Sequence, residues 1–87
     1  MEQESIMLEK VIVVDRIEVI ENGVVQVRTA TKIMEDGEVI SKTLHRHIIV
    51  PGQDYSQEDE RVKAICKATH TNSVVDAYKA ALAAQEV

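Results

Sequence analysis

An α+β domain, with a three-stranded antiparallel β-meander followed by two short α-helices packed on one face, is the fold class this 87-residue sequence predicts. Three observations predict it. Between residues 8 and 50, β-branched side chains dominate and often alternate with polar ones, while Asn22-Gly23 and Asp36-Gly37 divide the stretch into three. Pro51-Gly52 then stops it, because proline cannot donate to a ladder and glycine allows a sharp reversal. Beyond that point the chain is first acidic and then alanine-rich, with apolar residues at helical spacing.

The first strand runs from Leu8 to Ile20. Val11-Ile12-Val13-Val14 is apolar on both faces, and past Asp15 the pattern alternates, with Ile17 and Val19 apolar and Arg16 and Glu18 charged. A two-residue loop at Asn22-Gly23 would set Val19 against Gln26, mixing polar with apolar. A three-residue loop with Gly23 left-handed pairs Val19 with Val25, Ile17 with Val27 and Glu18 with Gln26, and is the expected turn.

At Asp36-Gly37 a two-residue loop is expected, pairing Ile33 with Ile40 and Thr29 with Leu44. The inner face then holds Val25, Val27, Ile33, Ile40, Leu44 and Ile48. The outer face carries Gln26, Arg28, Lys32, His45 and His47. This register also turns Lys42 and Arg46 inward, and leaves Val39 and Ile49 outside. The alternative register would turn both histidines inward.

In the second half, Asp54 or Ser56 is expected to cap a helix whose first turn is Gln57-Glu58-Asp59-Glu60, where the dipole favours negative charge. Val62, Ile65, Cys66 and Thr69 form its apolar stripe. His70-Thr71-Asn72 interrupts the pattern. Ser73 with Asp76 resembles a capping box at the start of a second helix, which presents Val75, Tyr78 and Leu82 on one face. Without repeats or a long linker, residues 1–87 form a single domain. Residues 1–6 are expected to be disordered, 7–50 to form the meander and 56–86 the two-helix segment.

Composition restricts the functions open to such a chain. There is no Phe or Trp, so Val, Ile, Leu and Ala must build the core, and a domain this small buries only about 60–65% of its unfolded surface. A single cysteine, Cys66, excludes an internal disulfide framework. Met1-Glu2-Gln3-Glu4-Ser5 lacks the features of a signal peptide, and no apolar stretch approaches the roughly 18–20 residues needed to span a bilayer, so no membrane association is expected. A net charge of −5 argues against nucleic-acid binding through a broad phosphate-neutralising surface.

Candidate chemistry can be weighed residue by residue. His45 and His47 share one face of a strand, and Cys66 and His70 are one helical turn apart, so the four would make a complete zinc set. Against this, the outer-face register separates the pairs, and the spacing matches no familiar finger or ribbon. Cys66 lies mid-helix on the apolar stripe, where a thiol is inert. Ser73 and Asp76 near His70 read more simply as capping than as a triad. The acids from Asp54 to Glu60 lack calcium-loop spacing, and there is no phosphate loop. No catalytic residue, cofactor or metal is therefore assigned, and no enzyme is expected. Because Ile12 and Val14 back Val11 and Val13, a second apolar surface suggests an oligomer or an assembly subunit. Val11, Val13, Arg28, His45 and His47 are its candidate interface residues.

Val27-Arg28-Thr29-Ala30-Thr31, the Asp36-Gly37 turn, His45-Arg46-His47 and Pro51-Gly52-Gln53-Asp54 together resemble a group of small uncharacterised proteins of tailed bacteriophages, particularly phages of cyanobacteria and marine bacteria. The resemblance covers residues 13–80 and departs at His70, where the group has an aromatic residue. It implies a phage origin, with the host cytoplasm and the virion as locations, and offers no established activity to carry over. The expected function is a non-enzymatic structural or interaction protein that oligomerises or docks onto a virion or tail, with another copy, a phage protein or a host protein as partner. The alternatives are a small acidic regulator or inhibitor of a host protein, and a metal-stabilised module.

Overall fold

A computed structural model describes residues 7–85; the expectation for residues 1–6 lies outside the described residues, as do residues 86 and 87. Strands β1 (Leu8–Val19), β2 (Val25–Glu35) and β3 (Glu38–Ile49) form one antiparallel sheet in the order β1-β2-β3, followed by helices α1 (Glu60–Thr69) and α2 (Asn72–Gln85). The chain is an α+β fold built on a β-meander, as its sequence predicts.

Both turns have the expected chemistry. Val19 pairs with Val25, Ile17 with Val27 and Glu18 with Gln26, and Gly23 at φ +92° is left-handed. At the second turn Glu35 pairs with Glu38, while Asp36 (φ 49°) and Gly37 (φ 86°) both adopt the positive φ of a type I′ hairpin.

The register beyond that turn differs from the expected one. Met34 pairs with Val39, but Ile33 pairs with Ser41, so Ile40 is an extra residue in a β-bulge. Every residue from Ser41 onward is thereby displaced by one, and Thr29 faces His45 rather than Leu44. Because strand side chains alternate, the bulge reverses the faces of β3. Ile49 and His47 go to the helix side. Leu44 and Ile48, expected inside, go to the far face, 39% and 53% exposed. Lys42 and Arg46, awkward inside, also go out. A second bulge, at Asp15, lies between Val14 and Arg16 of β1.

The core is small and lies at one end of the sheet. Val25, Val27 and Ile49 pack with Val62 and Cys66 of α1, flanked by Val14, Ile17, Tyr55 and Ile65. Each such aliphatic side chain contributes about 1.5–3 kcal/mol on burial. Asp59, not Asp54 or Ser56, caps α1, its Oδ1 accepting from the Arg61 N–H at 3.0 Å. Asp54 instead closes an Asx turn, accepting from the Ser56 N–H at 2.9 Å. At α2 the cap is Thr71 rather than Ser73: its Oγ1 accepts from the Val74 N–H and its carbonyl from the Val75 N–H. No residue of α2 is fully buried. Val74, Val75 and Tyr78 are half-buried, and Leu82 is 44% exposed.

The rest of the sheet projects beyond the helices. The Cα radius of gyration is 18.9 Å and the long axis 73 Å, whereas a compact chain of this length would have a radius of about 12 Å. The accessible surface, 6585 Å², likewise exceeds the roughly 5,100 Å² of a compact monomer of this mass.

Candidate functional site

His45 and His47 stand on the helix-facing side of β3, contrary to the outer-face expectation, because the Ile40 bulge reverses that strand. Their rings stack at 6.3 Å. His47, opposite the core residue Val27, donates from Nε2 to Oε1 of Glu58 at 2.8 Å, tying β3 to the loop before α1. His45 is exposed, one step further out along the sheet.

His70 follows α1 at its C-cap, where its backbone N–H donates to the Cys66 carbonyl. Its ring lies edge-on to Tyr55 and donates from Nε2 to the Gly23 carbonyl at 2.7 Å, leaving Nδ1 buried without a partner among the described residues. Cys66 is fully buried, and burial, followed by the nearby Glu58 carboxylate, raises its thiol pKa. A raised thiol pKa suppresses the thiolate that a nucleophile requires. The four residues weighed as a zinc set thus share one side of the sheet, yet they are separately engaged. His47 turns to Glu58 and His70 to Gly23. No group of three or more metal-ligating side chains converges among the described residues.

The far side of the sheet holds the larger assembly of charge. Arg16 pairs with Arg28 and Arg28 with Arg46, so three arginines cross the sheet in one rung. The next outward rung is Val13, Ala30 and Leu44, and the next is Val11, Lys32 and Lys42. The bulge at Asp15 matters here. It brings that carboxylate onto the Arg28 guanidinium, which donates from Nε at 2.9 Å and from Nη2 at 3.0 Å. These hydrogen bonds, against a smaller desolvation effect, hold the Asp15 pKa below its ordinary value and raise that of Arg28. A hollow of about 190 Å³ opens on the rung, lined by Arg16, Arg28, Arg46, Glu18, Gln26 and Ile48 among others.

The five candidate interface residues do not form one surface. Val11, Val13 and Arg28 lie on the far face, and His45 and His47 on the helix face. Sequence reasoning missed the arginine rung, although the expected β1–β2 register already sets Arg16 opposite Arg28; bringing Arg46 into line takes the single extra residue, Ile40, in β3. The fold and its charged face define a small α+β protein with an extended, partly uncovered sheet. No protein-family model, curated protein or solved structure matches the chain.

Proposed function

We propose that this protein is a non-enzymatic assembly module that acts by self-association or by docking onto a larger body through the projecting end of its sheet. One observation carries the reading: among the described residues, nothing covers either face of the sheet at that end. Leu8 and Ile12 of β1 are 61% and 63% exposed, and Val39 and Ile40 of β3 are 49% and 55% exposed. Residues 38–46 of β3 are exposed throughout, and β1 and β3 are both edges of the sheet. Long open edges with exposed apolar side chains are templates for pairing. The surplus surface, about 1,500 Å², exceeds the roughly 800 Å² that one partner contributes to a standard interface and matches one partner's share of an obligate dimer.

A second copy is the occupant the geometry favours, since edge pairing between identical strands satisfies both copies at once. A phage virion or tail is the setting implied by the sequence resemblance. Static light scattering on chromatographed protein, over a wide concentration range, tests the reading. A dimer or larger species is expected at micromolar concentration. Ile12→Lys, whose side chain is already exposed, should return it to monomer without lowering its intrinsic stability. A wild-type chain that stays monomeric to millimolar concentration sinks the self-association reading.

A further inference from the structure

We propose that the rung Arg16, Arg28 and Arg46 is a binding site for a tetrahedral oxyanion of the phosphate class. It lies on the opposite side of the sheet from the histidines and does not depend on self-association. Three guanidinium groups on neighbouring strands span roughly 10 Å and border a hollow of about 190 Å³. Like charges placed directly opposite each other on a sheet repel, so such a rung needs compensation. The compensation present is partial. Asp15 engages Nε and Nη2 of Arg28 and leaves Nη1 uncommitted. Glu18 stands 3.9 Å from Arg16, with both side chains more than half exposed, which makes a weak pair. Arg46 has no ion-pair or hydrogen-bond partner among the described side chains.

Asp15 acts here as a positioning residue. By gripping the side of Arg28 it fixes the guanidinium plane, so that less rotamer freedom is lost when an anion arrives. The rung Lys32–Lys42, two steps along the same face, adds long-range attraction. Half of the chain's ten Lys and Arg residues thus stand on one face of a protein whose net charge is −5. A tetrahedral dianion suits three forks approaching from different strands, whereas a carboxylate is satisfied by one planar fork.

The test is a titration of the isotope-labelled full chain with inorganic phosphate at constant ionic strength, read by NMR at the backbone and guanidinium N–H groups. A saturable change centred on Arg16, Arg28 and Arg46 is expected. Arg46→Gln should weaken it by about tenfold or more, the worth of one charge-assisted hydrogen bond, with an unchanged melting temperature. A phosphomonoester that binds more tightly than inorganic phosphate marks an esterified ligand, and equal binding marks the free ion; either supports the site. A response that does not saturate, that acetate reproduces, or that survives Arg46→Gln overturns it. Light scattering on the same samples is a separate readout, so a monomer that still binds phosphate overturns only the assembly reading.

Discussion

The His70 ring reaches back across 47 residues to donate from Nε2 to the Gly23 carbonyl at 2.7 Å, joining the α1–α2 junction to the β1–β2 turn. Gly23 is enclosed at this meeting point. A Cβ placed on it would lie 2.6 Å from Cγ1 of Val74 and 3.1 Å from Cγ of Pro51, at a φ of +92° that side chains avoid. Gly37, at φ +86°, has nothing within 4 Å of such a Cβ. Gly23→Ala should therefore cost about 2–4 kcal/mol, from backbone strain plus the clash, and Gly37→Ala about 1–2 kcal/mol from strain alone. Urea denaturation of the two variants checks the ordering. Equal losses would mean that the helices do not press on the turn.

His70→Ala is expected to lose on the order of 1–3 kcal/mol, because it leaves the Gly23 carbonyl unpaired at a half-buried site. His70→Gln should recover part of this, since its amide can donate in place of Nε2. Hydrogen exchange near residues 23–24 and 70–74 would locate the loss.

His47 and Glu58 supply the corresponding tie at the other end of α1. The cost of Glu58→Ala should be about 0.5–1.5 kcal/mol and should disappear in the His47→Ala background, as a double-mutant cycle would show. Exchange protection of the 55–59 segment should fall in either single variant. If the two losses simply add, the 2.8 Å contact carries no energy of its own.

The Ile40 bulge yields an unusual expectation. Deleting Ile40 removes the extra residue and leaves a regular ladder in which Val39 still faces Met34, Ser41 still faces Ile33, and His47 still faces Val27. The deletion should be tolerated within about 1 kcal/mol, since Ile40 is 55% exposed. Deleting Lys42 in its place would oblige the ladder beyond it to slip or the bulge to migrate, at greater cost. Cross-strand NOEs between Val27 and His47 report the register directly.

This bulge is also where the sequence stops being legible. Both hairpin turns follow from Asn22-Gly23 and Asp36-Gly37, and the β1–β2 register from Arg16 to Val19 follows from matching apolar faces across a three-residue loop, whereas the Asp15 bulge shifts the pairs beyond it by one. The α1 stripe of Val62, Ile65 and Cys66 follows from helical spacing. On β3, however, Val39, Ile40, Leu44, Ile48 and Ile49 spread apolar side chains over both faces, so hydrophobic pattern alone fixes no register. The inward charges Lys42 and Arg46 were the signal that the regular ladder was wrong. They point outward once Ile40 is left unpaired, and the arginine rung forms only in that register. The α2 cap was misplaced for a local reason, since Thr71 and Ser73 offer equivalent hydroxyls two residues apart.

The Asp15–Arg28 pair makes stability sensitive to acid in a defined window. The Arg28 hydrogen bonds lower the folded-state pKa of Asp15 below its ordinary 3.8, so its contribution is complete above that value and is lost as pH falls through the folded value. Asp54, whose pKa is lowered by hydrogen bonds from Ser56, acts in the same direction. The loss of stability on acidification below pH 3.8 should therefore be shallower in Asp15→Asn than in the wild type. Thermal melts across that range would show it. Parallel profiles would mean that the pair is as strong in the unfolded chain as in the folded one.

Cys66 gives the opposite sign at the alkaline end. Burial holds its pKa above the ordinary 9.0, so the folded state favours the neutral thiol; its contribution is complete below that value and is lost as pH rises through it. Unfolding releases a thiol that ionises more readily, and the wild type should lose stability above pH 9.0 faster than Cys66→Ala does. Below that pH the alanine variant should be the less stable by about 1 kcal/mol, because it removes a fully buried sulfur beside Val62. Iodoacetamide should label Cys66 in native protein only at the rate set by opening of α1, and rapidly in denaturant. Equally fast labelling of the native chain would show that α1 does not hold the thiol away from water.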